Sequence, residues 1–129
     1  MVTGVDSVNI MPDMKAFILA AGVSRRLYPY TYDVPKCLLD VGGKPIIHYQ
    51  LEALESLGIL DITMVVGYHR EMLMNHLEQE FPNLNFHFII NHHYFETNTA
   101  YSIYIGRNRL SSKQILMNAD VVYPKELLK

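Results

Sequence analysis

The sequence predicts an α/β fold, a mainly parallel, Rossmann-like sheet with helices packed on its faces. Short apolar runs alternate along the chain with segments of helical periodicity, which is the pattern of βαβ units. The apolar runs end in glycine or in polar residues, as strands do where they leave a sheet. Half of the 129 residues are hydrophobic, so the chain can bury the core of one such domain.

The first predicted strand is Lys15–Ala20, an apolar run that leads into a polar, proline-bearing loop reaching Lys36. Cys37–Val41 is predicted to be a short extended piece. A turn at Gly42 and Gly43 closes it, because consecutive glycines accept the backbone angles that tight turns require.

A helix is predicted to begin at Pro45, since proline fits the first helical turn, where no N–H is needed. Ile47, Leu51 and Leu54 then fall on one face, which we expect to face the core. Gly58 is a typical residue just beyond a helix C-terminus and should end this helix.

The second predicted strand is Ile62–Val66, and a helix over about Glu71–Glu80 follows it. Leu73 and Leu77 lie one turn apart in that helix and should point inward. Pro82 prevents the helix from continuing, because proline lacks the N–H and clashes with the preceding turn.

The third and fourth predicted strands are Asn85–Ile90 and Gln114–Asn118. Between them Ala100–Leu110 is predicted to be a helix, with Ile103 and Arg107 one turn apart. The four strands therefore alternate with helices, as a parallel sheet requires.

Residues suited to ligand binding follow each of the four predicted strands. They are Gly22, Gly67, Asn91 and Asp120. Because ligands of open α/β sheets bind beyond the carboxyl ends of the strands, we expect these residues to border one crevice.

The loop after the first strand has the features of a polyphosphate site. Gly22, preceded by the small residues Ala20 and Ala21, allows backbone N–H groups to approach phosphate oxygens. The chain has neither the Gly-x-Gly-x-x-Gly of dinucleotide-binding folds nor the Gly-x-x-x-x-Gly-Lys-Ser/Thr of P-loops, so both of those classes are disfavoured.

Arg26 and Lys36 are the candidate cations for such a site, and Arg25 is a further candidate. Arginine can hold two phosphate oxygens at once, whereas lysine acts as a point charge. Taken one at a time, each of these residues is better explained as a solvated loop charge.

Taken together, the segment resembles the opening motif of the sugar-phosphate nucleotidyltransferases, Leu-Ala-Ala-Gly-x-Gly-x-Arg-Leu-x-Pro-x-Thr-x-x-x-Pro-Lys. The matching residues are Leu19, Ala20, Ala21, Gly22, Arg26, Leu27, Pro29, Thr31, Pro35 and Lys36. The resemblance continues through Leu38-Leu39, Gly43–Pro45, Gly67-Tyr68 and Asn118–Asp120, and covers about residues 15–123.

The resemblance implies roles for the matching residues. The turn from Leu19 to Gly22 would hold base and phosphates, Arg26 would bind the β- and γ-phosphates, and Lys36 would bind the α-phosphate. Asp120 would hold Mg²⁺, the implied metal ion.

The motif has one departure from the family pattern. Ser24 stands at the second glycine position and Arg25 where a small residue is usual, and both are included among the implied nucleotide-binding residues. The serine adds a Cβ where the resemblance implies that the backbone approaches phosphate.

A second segment resembles the choline-phosphate cytidylyltransferases. It contains Asn91, His92, His93 and Tyr94, then Asn98, and then Tyr101 and Ser102. The resemblance implies that Asn91, Asn98 and Ser102 lie near the base and sugar. The implied enzyme transfers CMP from CTP to a phosphorylated small alcohol or amino-alcohol such as phosphocholine, and releases pyrophosphate.

Two alternatives remain open at this point. One is a hexose-1-phosphate nucleotidyltransferase using UTP, dTTP or GTP, and the other is a non-catalytic nucleotide-binding or regulatory module. Zinc is disfavoured, because the adjacent His92 and His93 would point to opposite sides of an extended segment and no further ligands complete a set.

Composition limits the partners. A net charge of −2 gives no general attraction to nucleic acid or to anionic membranes, and no apolar run approaches the roughly 20 residues of a membrane span. The single cysteine, Cys37, fits a reducing cytoplasm. We expect residues 1–13 to be a flexible leader and residues 14–129 to be the N-terminal, nucleotide-binding part of a longer domain, whose family relatives often self-associate.

Overall fold

The fold is given by a computed structural model of the chain, in which residues 14–21, 33–92, 99–109 and 113–119 are described. Strands β1 to β6 are Lys15–Ala20, Asp40–Val41, Lys44–Pro45, Asp61–Val66, Asn85–Ile90 and Gln114–Asn118. Helices α1 to α3 are Ile46–Ser56, Arg70–Glu80 and Thr99–Ile105. Short 3-10 turns cover Lys36–Leu38 and Arg107–Arg109. The expected leader, residues 1–13, lies outside the described residues.

The main sheet has the strand order β5-β4-β1-β6, and every neighbouring pair in it is parallel. Leu19 of β1 lies opposite Val65 of β4 on one side and opposite Asn118 of β6 on the other. From β1 the chain builds outward through β4 and β5, and it then returns to the other side of β1 to form β6. The predicted parallel α/β sheet is confirmed, and its switch point lies between β1 and β6.

The core is formed where helices cover the two faces of this sheet. Ile47, Leu51 and Leu54 of α1, with Leu73 and Leu77 of α2, are fully buried against one face, as predicted. The other face has a second cluster, in which partly buried Ile105 at the end of α3 packs with strand residues. Those strand residues are Phe17, Leu19, Val65 and Ile89, with Ala21 just after β1. The central strands are therefore buried on both faces.

The region before α1 differs from the prediction of an extended Cys37–Val41. Cys37 and Leu38 belong instead to the 3-10 turn, which is closed by i→i+3 bonds from the N–H of Leu38 to the carbonyl of Pro35 and from Leu39 to Lys36, both 3.0 Å. Leu39 has extended backbone angles, but only Asp40 and Val41 form a strand, β2, which pairs with β3.

The hairpin of β2 and β3 has the predicted two-glycine turn. Gly42 and Gly43 have φ angles of 64° and 97°, a conformation that matches the twist of a two-residue hairpin and that side chains disfavour. Pro45 ends β3 and immediately precedes α1, so it caps the helix instead of beginning it, a shift of one residue.

The helix predicted over Ala100–Leu110 is shorter in the structure. α3 ends at Ile105, and the chain continues through Gly106 as a 3-10 turn. A Cβ at position 106 would lie 2.5 Å from Cζ of Phe17, so glycine is required where the end of the helix touches the sheet. Periodicity alone did not show this close approach.

Among the described residues, no helix is both long and apolar enough to cross a membrane.

Candidate nucleotide site

The carboxyl ends of the four parallel strands share one edge of the sheet, and backbone hydrogen bonds continue past them. The N–H of Tyr68 donates to the carbonyl of Ala21 (3.2 Å), and that of Asn91 donates to Val66 (2.8 Å). At the switch point the N–H of Ala119 donates to Leu19 (3.0 Å). The residues that follow the strands are therefore held side by side along this edge.

The end of β1 is built from small, closely packed residues. Ala20 and Ala21 are 9% and 6% exposed, and Leu19 is half-buried. Because their carbonyls and side chains are tied into the sheet and the core, the chain enters the following glycine-bearing loop from a fixed position. The loop whose backbone N–H groups are predicted to approach phosphate oxygens follows directly after Ala21.

Lys36 begins the 3-10 turn, and the residues around it anchor that turn. Pro35 before it is buried and Cys37 after it is 3% exposed, while Leu38 packs against the main core. Cys37 therefore packs in the core. The half-buried lysine side chain is therefore carried by a backbone that packing holds in place.

Asn91 and Ser102, two of the residues expected near the base and sugar, lie together. Nδ2 of Asn91 donates to Oγ of Ser102 at 3.3 Å, and the two residues are 1% and 6% exposed. The bond joins the residue that follows β5 to α3, so it holds α3 beside the carboxyl edge of the sheet.

Gln50 is a residue of this region that the sequence interpretation missed. It is fully buried in α1, and its Nε2 donates to the carbonyl of Asn118 at 2.6 Å. A signal for it was present, because Gln50 is three residues after Ile47 and one before Leu51, and so falls on the inward face of the helix. A polar residue at such a position needs a hydrogen-bonding partner.

Six of the predicted site residues lie outside the described residues. They are Gly22, Ser24, Arg25, Arg26, Asn98 and Asp120. Their roles stay predictions. The structure does describe the residues that immediately precede two of them, Ala21 before Gly22 and Ala119 before Asp120, and both are hydrogen-bonded along the carboxyl edge.

Within the described part of the chain, no group of three or more histidine, cysteine or acidic side chains is arranged to hold a metal ion. Asp120, the predicted ligand of Mg²⁺, lies outside the described residues, so the metal site stays a prediction.

The sheet order and the switch point between β1 and β6 define a Rossmann-like α/β domain. The family model "Nucleotidyl transferase" matches residues 15–129. The chain belongs to this nucleotidyltransferase family.

Relatives with known activities match most of the chain. A CTP:phosphoglutamine cytidylyltransferase of Campylobacter jejuni is 40% identical over 116 residues, covering 85% of this chain and 45% of the relative. Mannose-1-phosphate guanylyltransferase 1 of Arabidopsis thaliana is 32% identical over 123 residues, covering 90% of this chain and 34% of the relative.

A solved structure of the CTP:phosphocholine cytidylyltransferase of Streptococcus pneumoniae has the same fold. It superposes with a TM-score of 0.73 at 36% identity, covering 83% of this chain and 45% of that one. The chain thus spans less than half the length of each of these three proteins.

Proposed function

We propose that the protein transfers CMP from CTP to a phosphorylated small alcohol or amino-alcohol, such as phosphocholine, and releases pyrophosphate. The similarity to two CTP-using enzymes, at 40% and 36% identity over more than four fifths of the chain, carries this proposal. The opening motif and the segment from Asn91 to Ser102 agree with it.

The proposed reaction is a direct transfer. An oxygen of the acceptor's phosphate attacks the α-phosphorus of CTP and forms a new P–O bond. The bond from that phosphorus to the oxygen bridging to the β-phosphate breaks, and pyrophosphate leaves with the electron pair. A phosphate monoester is already anionic at neutral pH, so the attack needs no general base. The protein contributes position and neutralisation of charge.

Cations next to the triphosphate are the main requirement of this chemistry. In the proposal Lys36 contacts the α-phosphate and Arg26 contacts the β- and γ-phosphates. A pair of unit charges about 4 Å apart is worth on the order of 4 kcal/mol at an effective dielectric constant of 20, so each cation matters. The buried neighbours of Lys36 support its role, because a charge on a fixed backbone needs little reorganisation during the reaction.

The remaining site residues bind and orient the nucleotide. Backbone groups from Leu19 to Gly22 approach the base and phosphates, with Ser24 and Arg25 in the same loop. Asn91, Asn98 and Ser102 lie near the base and sugar. The buried Asn91–Ser102 pair supports this arrangement by holding β5 and α3 together beside the edge.

Asp120 is proposed to hold Mg²⁺. When bound, the ion would neutralise negative charge on the phosphates and so stabilise the leaving pyrophosphate. The residue before the aspartate, Ala119, donates its N–H to Leu19 of β1, and this bond, which holds the end of β6 in place, supports the proposal.

A hexose-1-phosphate nucleotidyltransferase is the second candidate, and the 32% identity to the guanylyltransferase of Arabidopsis thaliana favours it. The test is a panel of CTP, UTP, dTTP, GTP and ATP, each combined with phosphocholine, other phosphorylated alcohols and several hexose 1-phosphates. Pyrophosphate release by the complete protein is the measurement. CTP with a phosphorylated alcohol should give the highest kcat/KM. Preference for another nucleotide would contradict the cytidylyltransferase assignment, and no turnover with any pair would favour a non-catalytic module.

The proposal places the protein in the cytoplasm, where CTP and Mg²⁺ are available and where the thiol of Cys37 stays reduced. We also propose that the protein self-associates, and sedimentation velocity would measure its oligomeric state.

A further inference from the structure

Gln50 occupies a position where an apolar side chain would be expected. Its neighbours on the inward face of α1, Ile47, Leu51 and Leu54, are all fully buried, and Gln50 is fully buried with them. Burying an amide is unfavourable unless it is hydrogen-bonded, so the bond that it makes has to compensate for lost hydration. That bond, 2.6 Å to the carbonyl of Asn118, reaches the last residue of β6, two residues before Asp120.

The same helix also holds the turn that carries Lys36. The N–H of Ile46, the first residue of α1, donates to the carbonyl of Leu39 at 3.0 Å, directly after the 3-10 turn. Ile46 and Gln50 are four residues apart, which corresponds to about 6 Å along a helix axis. One turn of a single helix is therefore bonded at one end to the lysine turn and at the other to the end of β6.

We propose that Gln50 is a positioning residue, which fixes the separation between Lys36 and the strand end that leads into Asp120. The inference rests on the proposed function, in which Lys36 contacts the α-phosphate and Asp120 holds Mg²⁺. The Ala119–Leu19 bond sets the position of the strand end relative to β1. The Gln50–Asn118 bond sets it relative to α1, and so relative to the lysine.

The first test replaces the amide while keeping the volume of the side chain. In Gln50→Met the donor is lost, and we expect kcat of the complete protein to fall on the order of 10- to 100-fold, as small misplacements of reacting groups do. The Mg²⁺ concentration for half-maximal activity should rise several-fold, while KM for CTP changes little. Gln79→Met, the same change at an exposed position in α2, is the matched control and should leave all three quantities unchanged.

Gln50→Glu provides a second, independent readout. A carboxylate cannot donate to the carbonyl of Asn118, whereas a protonated carboxyl group can. The activity of this variant relative to the unchanged protein should therefore rise as the pH is lowered from 8 to 6. A ratio independent of pH would overturn the proposal, and this variant also decides the question if Gln50→Met does not fold.

A double-mutant cycle separates positioning from general stability. If Gln50 acts through Asp120, Gln50→Met should lower kcat only slightly in a protein that already carries Asp120→Asn. A purely structural effect would lower kcat by the same factor in both backgrounds. Additive losses, or Gln50 variants that behave like Gln79→Met, would overturn the inference while leaving the proposed function intact. If Lys36→Ala and Asp120→Asn both retain activity, the proposed function itself fails.

Discussion

Lys36 is the described residue on which the proposed chemistry depends most directly. Replacing it with alanine should lower kcat by at least about 100-fold, because a fixed positive charge is lost where negative charge is transferred. Thermal unfolding should change little, since Pro35, Cys37 and Leu38 supply the packing of the turn. The measurement is pyrophosphate release by the complete protein, with circular dichroism to confirm folding.

Lys15 provides a matched control for this change. It lies at the amino end of β1, at the opposite edge of the sheet, with a side chain that is 46% exposed and 3.7 Å from Asp61. An exposed ion pair of this kind contributes little to stability. Lys15→Ala should therefore keep full activity, and an equal loss in the two variants would argue against a specific role for Lys36.

Gly106 makes a second prediction at the scale of single residues. Gly106→Ala would place a Cβ 2.5 Å from the ring of Phe17 and 3.2 Å from Cδ1 of Ile89, in a layer that is already filled. We expect the free energy of unfolding to fall by about 1–3 kcal/mol, as other overpacked cores do. Urea denaturation measures it. Adding Phe17→Leu should recover part of the loss, and a simple sum of the two effects would show that the ring is not the cause.

At the scale of elements, the contact between α1 and α2 contains a pair of histidines. Nε2 of His48 lies 2.8 Å from Nε2 of His76, and the His48 ring packs edge-on against Phe81. Burial lowers the pKa of His48, and the charge of His76 and then that of Lys44 lower it further, against opposing effects of Glu52 and Glu80. The folded protein therefore resists protonation of His48.

This arrangement predicts how stability depends on pH. Below the ordinary histidine pKa of about 6.5 the unfolded chain takes up a proton at position 48 more readily than the folded one. The contribution of His48 is thus present above that pH and is lost as the pH falls through its lowered folded value. The melting temperature should drop between pH 7 and pH 5, and His76→Gln should make the drop smaller. His92→Gln, at an exposed position, should leave the dependence of the melting temperature on pH unchanged.

At the scale of the whole molecule, the chain spans less than half the length of two cytidylyltransferases that it resembles. The chain covers 45% of the cytidylyltransferase of Campylobacter jejuni and 45% of the enzyme of Streptococcus pneumoniae. A site for two substrates needs groups on both sides of the reacting phosphate. We therefore expect the 129-residue chain by itself to bind CTP weakly and to release pyrophosphate at least about 100-fold more slowly than the complete protein. Comparable rates would contradict this expectation.

Much of the fold follows from local pattern. The four parallel strands and the inward faces of α1 and α2 were predictable, because periodicity and breakers such as Gly58 and Pro82 act within a few residues. The error at the end of α3 occurred where distant parts of the chain meet. Position 106 requires glycine because Phe17, nearly ninety residues earlier, occupies the space that a side chain would need.

The same division applies to the site. By itself, the sequence determined the family, the candidate cations and the strand ends that border the predicted crevice, since each of these depends on residue types at short, fixed spacings. Only the tertiary structure decided that Asn91 bonds to Ser102 and that Gln50 bonds to Asn118. Those partners lie on different elements, and a side-chain hydrogen bond forms only after packing has brought the two groups within about 3 Å of each other.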